Sequence, residues 1–477
     1  MKTNTLPKLA CLALVLGLAG CAGIPAGQQP LAMRNVAAEL PSSIKLAREG
    51  WPEARWWTAY GDYQLNELIG HALAKGPTLD VAEAQIASAR SAVNRANAEL
   101  GLETGLNAGL TRQRYSANGL LPPPIGGSWI TEESVNVEAR YHFDWWGRNK
   151  AQIEAAVGEV NARRASYAAA EQDLAAAIAS HYFTLQGLWA RRANGEQMVQ
   201  KQSATIEDRK KRLAHGLATA DDLRIAEAGL LMLKKQLDQF DTEAAQEKEA
   251  LRALLGADSQ ALADLKPLPL MSAPHRLPAR LGFELLARRP DLQAARWRVQ
   301  SAMSRIDAAQ AAFYPDLNLS ASFGLDAVSI PKLLRAGSVT ALLGPSLSLP
   351  LFDSKRLSAQ LDSTRSERNA LVAEYNLAVV NAVRDVAQDG AALQGIERQL
   401  TQQAAVNATA AAVARSTEKK LQQGLADNNA LLTSQLTLLQ LQDLALHLQQ
   451  LQLQAEVALT HSLGGGYFAE SPALTSR

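Results

Sequence analysis

RLAHGLATADDL (residues 212–223) and KLQQGLADNNALL (residues 420–432) are the same sentence written twice. Leu213, Gly216, Leu217, Ala218 and Leu223 recur as Leu421, Gly424, Leu425, Ala426 and Leu431, a shift of 208. The same shift carries Leu185-Gln186-Gly187 onto Leu393-Gln394-Gly395 and Leu255-Gly256 onto Leu463-Gly464. Upstream it becomes 213, where Ala89, Ala96, Leu106 and Ala108 match Ala302, Ala309, Leu319 and Ala321. A fixed register over so long a stretch marks a tandem duplication. The first repeat covers 61–276 and the second 277–466, joined by a Pro-rich linker at 265–278 and followed by a tail at 467–477.

Each repeat reads as a helix, two strands, a very long helix and a shorter one. No proline occurs from Ile125 to Lys266 or from Leu351 to Ser471, so both stretches can be helical almost throughout. Pro77 and Pro290 stand where helices begin, and Gly216 and Gly424 where helices stop and reverse. The spacing predicts helices over 78–100, 148–214, 218–255, 290–312, 356–421 and 428–463. The longest spans roughly 100 Å at 1.5 Å per residue. Two shorter helices end to end match one long helix, which makes a tall antiparallel wall.

Four segments alternate with period two: 102–110, 133–145, 315–325 and 343–351. In the second, Val135, Val137, Ala139, Tyr141, Phe143 and Trp145 oppose Asn136, Glu138, Arg140, His142 and Asp144. Each is long enough to cross an outer membrane when tilted. Trp145-Trp146 and Phe313-Tyr314 lie at strand ends, as interfacial aromatics do. Four strands cannot close a barrel, and an open edge is not tolerated in lipid, so copies must pool their strands. Two copies give a filled barrel and three give a wider lumen.

The N-terminus adds an address. Lys2 and Lys8 precede an apolar run from Leu9 to Ala19, too short to span a bilayer, and LAGC (18–21) follows. The pattern predicts a signal peptide at 1–20 and a bacterial lipoprotein whose Cys21 carries a diacylglycerol and an N-acyl chain, with 21–60 as an anchored extended segment. Ala22 favours the outer membrane. The predicted mature chain keeps no second thiol for a disulfide. Net charge is +1, which gives no sign of a nucleic-acid partner.

WWTAYGDYQLNELIGHAL (56–73), FDWWGR (143–148), ELLARRPDLQAARW (284–297), AAFYPDLNLSAS (311–322) and LFDSKR (351–356) carry a resemblance over almost the whole predicted mature chain. They resemble the TolC/OprM-type outer-membrane efflux channels, in their NodT-like lipoprotein branch. The resemblance implies an α+β membrane protein in which four β-strands per chain contribute to a 12-stranded trimeric barrel, continued by a long α-helical periplasmic barrel. It implies a homotrimer in outer-membrane lipid that joins a periplasmic membrane-fusion adaptor and an inner-membrane transporter of the RND type. It places Gly216, Leu217, Gly424 and Leu425 at adaptor-contacting tips. It puts the periplasmic gate near Asp427, Leu431, Leu432 and Thr433. Relatives commonly carry an Asp where Thr433 stands, so this gate is expected to rely more on leucine packing than on a carboxylate ring. Arg296 also departs from the pattern, where relatives often carry Glu.

The residues suggest no enzyme. The seven histidines are scattered, without a His-Glu-x-x-His or paired Cys motif. No metal and no cofactor beyond the lipid on Cys21 is expected. His142 and Asp144 read as a solvated lumen wall. Small-molecule efflux ranks first. A type I protein-secretion duct shares the whole architecture, and a non-conducting lipoprotein strut is the alternative of another class.

Overall fold

A computed structural model describes residues 24–26, 29–34, 53–258, 260–271, 289–350 and 352–467. Cys21, the leader at 1–20, the second half of the linker (272–278) and the tail beyond Tyr467 lie outside the described residues. The chain forms a short 3₁₀ turn (Trp56–Tyr60), α1 (Tyr63–Lys75), α2 (Pro77–Ala98), β1 (Leu102–Arg114), β2 (Trp129–Phe143), α3 (Arg148–Ala214) and α4 (Ala220–Leu255). It continues through α5 (Pro290–Ala311), β3 (Asp316–Ala327), α6 (Ile330–Leu333), β4 (Val339–Ser348), α7 (Ser354–Gln422) and α8 (Asn428–Ser462).

Proline and glycine set most of these limits. α2 and α5 begin on Pro77 and Pro290, whose missing N–H is an orphan at the first helical position. Strand ends differ more from the spacing. β2 starts at Trp129 and stops at Phe143, so Trp145 lies outside it. The side chain of Asp144 there accepts the backbone N–H groups of Asn149 and Lys150 (3.0 and 2.9 Å), which ends the strand and opens α3. β4 covers Val339–Ser348, so Leu349 also falls beyond the sheet, next to Pro350.

Two compact units result. One takes Ile86–Ala162, Ala295–Glu374 and the N-terminal stretch to Met33. The other takes Arg34–Gln85, Arg163–Ala294 and Tyr375–Arg477. Each draws on both halves of the sequence.

The first unit holds the sheet, an antiparallel meander in the order β1-β2-β3-β4. Register aligns its faces. Leu106 pairs with Val137, which pairs with Phe323, which pairs with Ala341. Thr104, Ala139, Ala321 and Leu343 form the next row on that face. The rows on either side are polar, Glu103, Arg140, Ser320 and Gly344 in one and Asn107, Asn136, Gly324 and Thr340 in the other, and the row between, Gly105, Glu138, Ser322 and Leu342, is polar but for its leucine. Leu106, Val137, Phe323 and Leu343 are all exposed, so the middle of the apolar face has no protein cover in the single chain. Among the described residues no helix is long and apolar enough to cross a membrane. Beside the sheet, α3 and α5 approach closely. A Cβ on Gly158 would meet Ser301 at 3.0 Å, and the Ser301 hydroxyl donates to the Ala155 carbonyl (2.7 Å).

The second unit has a packed core of Trp56, Leu65, Ile69, Ile178, Tyr182, Leu251 and Leu453. A buried polar cluster threads it. The Tyr182 hydroxyl donates to Asp62 (2.6 Å), and the Lys266 carbonyl accepts from both Gln64 and Gln186 (3.0 Å each). These bonds satisfy amide and phenol groups whose burial otherwise costs free energy. Burial and the bond to Asp62 push the Tyr182 hydroxyl far above its usual titration range.

Lipid cover of the apolar face makes a sharp contrast between neighbours. Phe323→Arg, on that face, is expected to destabilise by about 2–4 kcal/mol, as for a charge near the bilayer midplane. Ser322→Arg, one residue away on the polar face, is expected to fold normally. Urea-dependent refolding into lipid vesicles measures both.

Candidate functional site

The two quoted motifs become two copies of one turn. In the first, the Leu217 N–H donates to the Arg212 carbonyl (2.8 Å) and the Gly216 N–H to the Leu213 carbonyl (3.0 Å). In the second, Leu425 bonds Lys420 (2.7 Å) and Gly424 bonds Leu421 (3.0 Å). This is the Schellman pattern, which needs a left-handed residue after the helix. Gly216 and Gly424 supply it at φ +70° and +73°. The turn throws the next side chain outward, and Leu217 and Leu425 are 74% and 73% exposed. Both lie in the second unit, each presenting a bare leucine on a short rigid reversal.

The helices leaving the turns are capped differently. Thr219 and Asp222 form a reciprocal capping box at the start of α4. Asp427 caps α8, its side chain accepting the Ala430 N–H at 2.8 Å. Its second oxygen receives a 2.6 Å bond from Arg212 at the end of α3. Asp208 lies 3.6 Å from the Arg212 guanidinium and accepts from Asn428 (3.3 Å). A clasp of Asp208, Arg212, Asp427 and Asn428 therefore ties the first turn to the second. The Ala430 N–H holds the Asp427 carboxyl below the usual carboxylate range, and Arg212 adds to this.

The other predicted gate residues diverge. Leu432 is buried within the chain, and Leu431 is half-buried. Thr433 is exposed, with its hydroxyl bonded back to the Asn429 carbonyl (2.8 Å). Asp427, expected as the nearest gate acid, is engaged as cap and ion-pair partner. The partners Asp208 and Arg212 were not singled out from sequence. Only their i,i+4 spacing hinted at an interaction.

In the first unit the polar face of the sheet carries Glu103, Glu132, Glu138, Asp316 and Asp326 against Arg140. His142 shares this face, its Nδ1 at 2.6 Å from Asn318 Oδ1 and 3.2 Å from Asp316. Asp144, expected beside it as wall, is drawn into the start of α3 instead. Aromatic rings flank the apolar face at both ends. Trp146 stacks on Tyr314 (4.6 Å, 15°) at the helix-bearing end, and Trp129 lies at the other under Arg112 (5.9 Å).

An antiparallel meander with one apolar and one polar face, beside helices of up to 69 residues, defines a subunit of a TolC-like outer-membrane channel. The chain belongs to the outer membrane efflux protein family, whose model matches residues 68–257 and 281–465. It is 34% identical to the multidrug resistance outer membrane protein MdtQ of Escherichia coli O157:H7 over 470 residues, 97% of this chain and 98% of that one. It is also 34% identical to multidrug resistance outer membrane protein MdtP of Escherichia coli K12 over 461 residues, 95% of this chain and 94% of that one. The crystal structure of the outer membrane protein VceC from Vibrio cholerae superposes with a TM-score of 0.78 at 31% identity, covering 88% of this chain and 100% of that one. The protein is the outer-membrane component of an efflux pump.

The clasp predicts a pH dependence with a definite sign. A carboxyl depressed in the folded state stabilises above its unfolded pKa, about 3.9, and that gain is lost as pH falls through the folded value. Hydrogen exchange over 428–432 is expected to accelerate only below about pH 4. Asp427→Ala, which removes the cap, is expected to cost about 1 kcal/mol and to accelerate exchange there at neutral pH. Arg212→Gln is expected to cost less, because an exposed ion pair contributes only about 0–1 kcal/mol.

Proposed function

We propose that three copies close their sheets into a twelve-stranded barrel whose polar face lines the lumen. The helices then continue it as a periplasmic tunnel. One observation carries this reading: the sheet has two faces of opposite polarity and two free edges, β1 and β4. In an up-and-down meander of four strands, β4 of one copy runs antiparallel to β1 of the next. The ring therefore closes with a single kind of pairing.

In this reading the channel is the exit of a tripartite pump for drugs and other small molecules. Its partners are a periplasmic adaptor and an inner-membrane transporter of the RND type. The names of the relatives MdtQ and MdtP support drug export. Leu217 and Leu425, with Gly216 and Gly424, meet the adaptor. The clasp on Asp427, together with packing at Leu431 and Leu432, holds the gate, and Thr433 lines it without a charge. The pump has no catalytic residue in this chain.

The lipid anchor at Cys21 fits the same placement. Arg365 on α7 donates to the Pro25 carbonyl (3.0 Å), and the Leu31 N–H donates to Asn369 (3.1 Å). Residue 365 stands about 16 Å along α7 from Ser354, at 1.5 Å per residue. Four residue steps from Pro25 to Cys21 reach about 14 Å at most. That reach falls about 2 Å short of Ser354, and it supports an anchor whose acyl chains enter the inner leaflet near that end of α7.

In planar bilayers under a salt gradient, the protein is expected to conduct and to prefer cations, because carboxylates dominate the lumen face. Glu103→Gln with Glu138→Gln is expected to weaken that preference. An absence of conductance sinks the channel reading and leaves the strut. Palmitate labelling is expected to mark the wild type and to miss Cys21→Ser.

A further inference from the structure

The face that carries Leu102, Leu106 and Leu110 on β1 does not end apolar. By strand parity, Arg112 and Arg114 are its next two members, opposite Thr131 and Trp129 on β2. They stand at the end of the sheet remote from the helices, where the chain turns from β1 to β2. Arg112 lies over the exposed Trp129 ring, and Arg114 reaches only a backbone carbonyl, that of Gly127 (3.5 Å).

The β3–β4 connection reaches the same rim. α6 packs against β2 and β3, and the 3₁₀ turn Ala336–Ser338 packs against β3. Glu133 and Ala327 belong to the apolar face, yet each is more than nine-tenths buried, whereas Phe323 further down is 62% exposed. The connection thus folds over the lipid-facing side of the rim. Its exposed side chains alternate in kind: Val328, Ile330 and Leu334 are apolar, and Lys332 and Arg335 are cationic. Such a segment lies in a membrane interface, with leucine and isoleucine in the acyl region and the cations at head-group level. Among the described residues no carboxylate pairs with Arg112, Arg114, Lys332 or Arg335. The nearest acid on this face, Glu133, is tucked beneath the connection.

We propose that this rim docks the phosphorylated glycolipid of the outer leaflet, with Arg112, Arg114, Lys332 and Arg335 taking the lipid A phosphates. The inference rests on the orientation in the preceding section, with the helices in the periplasm. That places the rim in the outer leaflet, whose head groups are lipopolysaccharide. Guanidinium forks match phosphate oxygens in pairs, and the Trp129 ring lies beneath one of them.

The test titrates purified full-length protein in neutral detergent. The four ligands are deep-rough lipopolysaccharide, its dephosphorylated form, phosphatidylglycerol and inorganic phosphate, and bound lipid is counted by native mass spectrometry. Deep-rough lipopolysaccharide is expected to bind at the lowest concentration. Arg112→Gln with Arg114→Gln, and separately Lys332→Gln with Arg335→Gln, are expected to weaken it at least about tenfold, as for loss of two cations near a charged head group. Arg140→Gln, on the lumen face, is expected to bind as wild type. Equal retention of the dephosphorylated form or of phosphatidylglycerol overturns the proposal. So does displacement by inorganic phosphate, or unchanged binding in both folded pairs. The ligand comparison needs only wild-type protein and decides the matter if a pair fails to fold. Protein that conducts in bilayers but binds no lipopolysaccharide sinks this inference and leaves the channel intact.

Discussion

A backbone amide placed in hydrocarbon has no water to bond, so each N–H and C=O on a sheet edge must find a partner or the edge must stay out of the lipid. That constraint governs the rest of this molecule. The sheet is too narrow to close on itself, and it exposes the middle of an apolar face. Neither property suits a single chain in water. The four strands follow a simple meander, so that the two edges run in opposite senses and suit each other. The lipid-facing rows are aligned across every strand pair without a bulge, because one slipped residue would turn a leucine inward and a glutamate outward.

Much of this order is visible in the chain itself. Helix limits follow proline and glycine closely. α3 runs from Arg148 to Ala214 as the punctuation indicates, and α2 and α5 open on their prolines. Strand limits are less legible, since the apolar alternation continues past Phe143 into Trp145 and past Ser348 into Leu349. What ends β2 is a side-chain cap, Asp144 on the first turn of α3, and alternation carries no record of it. The duplication is legible too, but the compact units mix both halves, because helices this long carry each half through both units.

The site is less legible than the fold, for a physical reason. The Gly-Leu turns announce themselves, since a left-handed residue after a helix is nearly always glycine. The clasp does not. Arg212 and Asp427 stand 215 positions apart, and each has an ordinary local explanation, as a basic residue in a last helical turn and as a helix cap. Only the folded chain shows that one carboxylate serves both. The same holds for the rim, where the alternation at 102–110 stops short of Arg112 and Arg114 and only strand pairing puts them on the apolar face.

The unlike caps behind the like turns have a further result. Duplication gives each chain two turns with the same backbone and the same projecting leucine, so a ring of such chains presents an approximately doubled symmetry. The chemistry beneath does not share it. One turn leads into a threonine hydroxyl boxed with Asp222, whose carboxylate lies only loosely (3.8 Å) from Arg209, and the other into an aspartate that is itself the cap and is held at 2.6 Å by Arg212 from the opposite turn. A ligand that grips only the leucine and the bare backbone meets every turn as equivalent. One that reaches a residue deeper meets two kinds of seat in strict alternation, and a partner arranged in pairs can seat each member in its own.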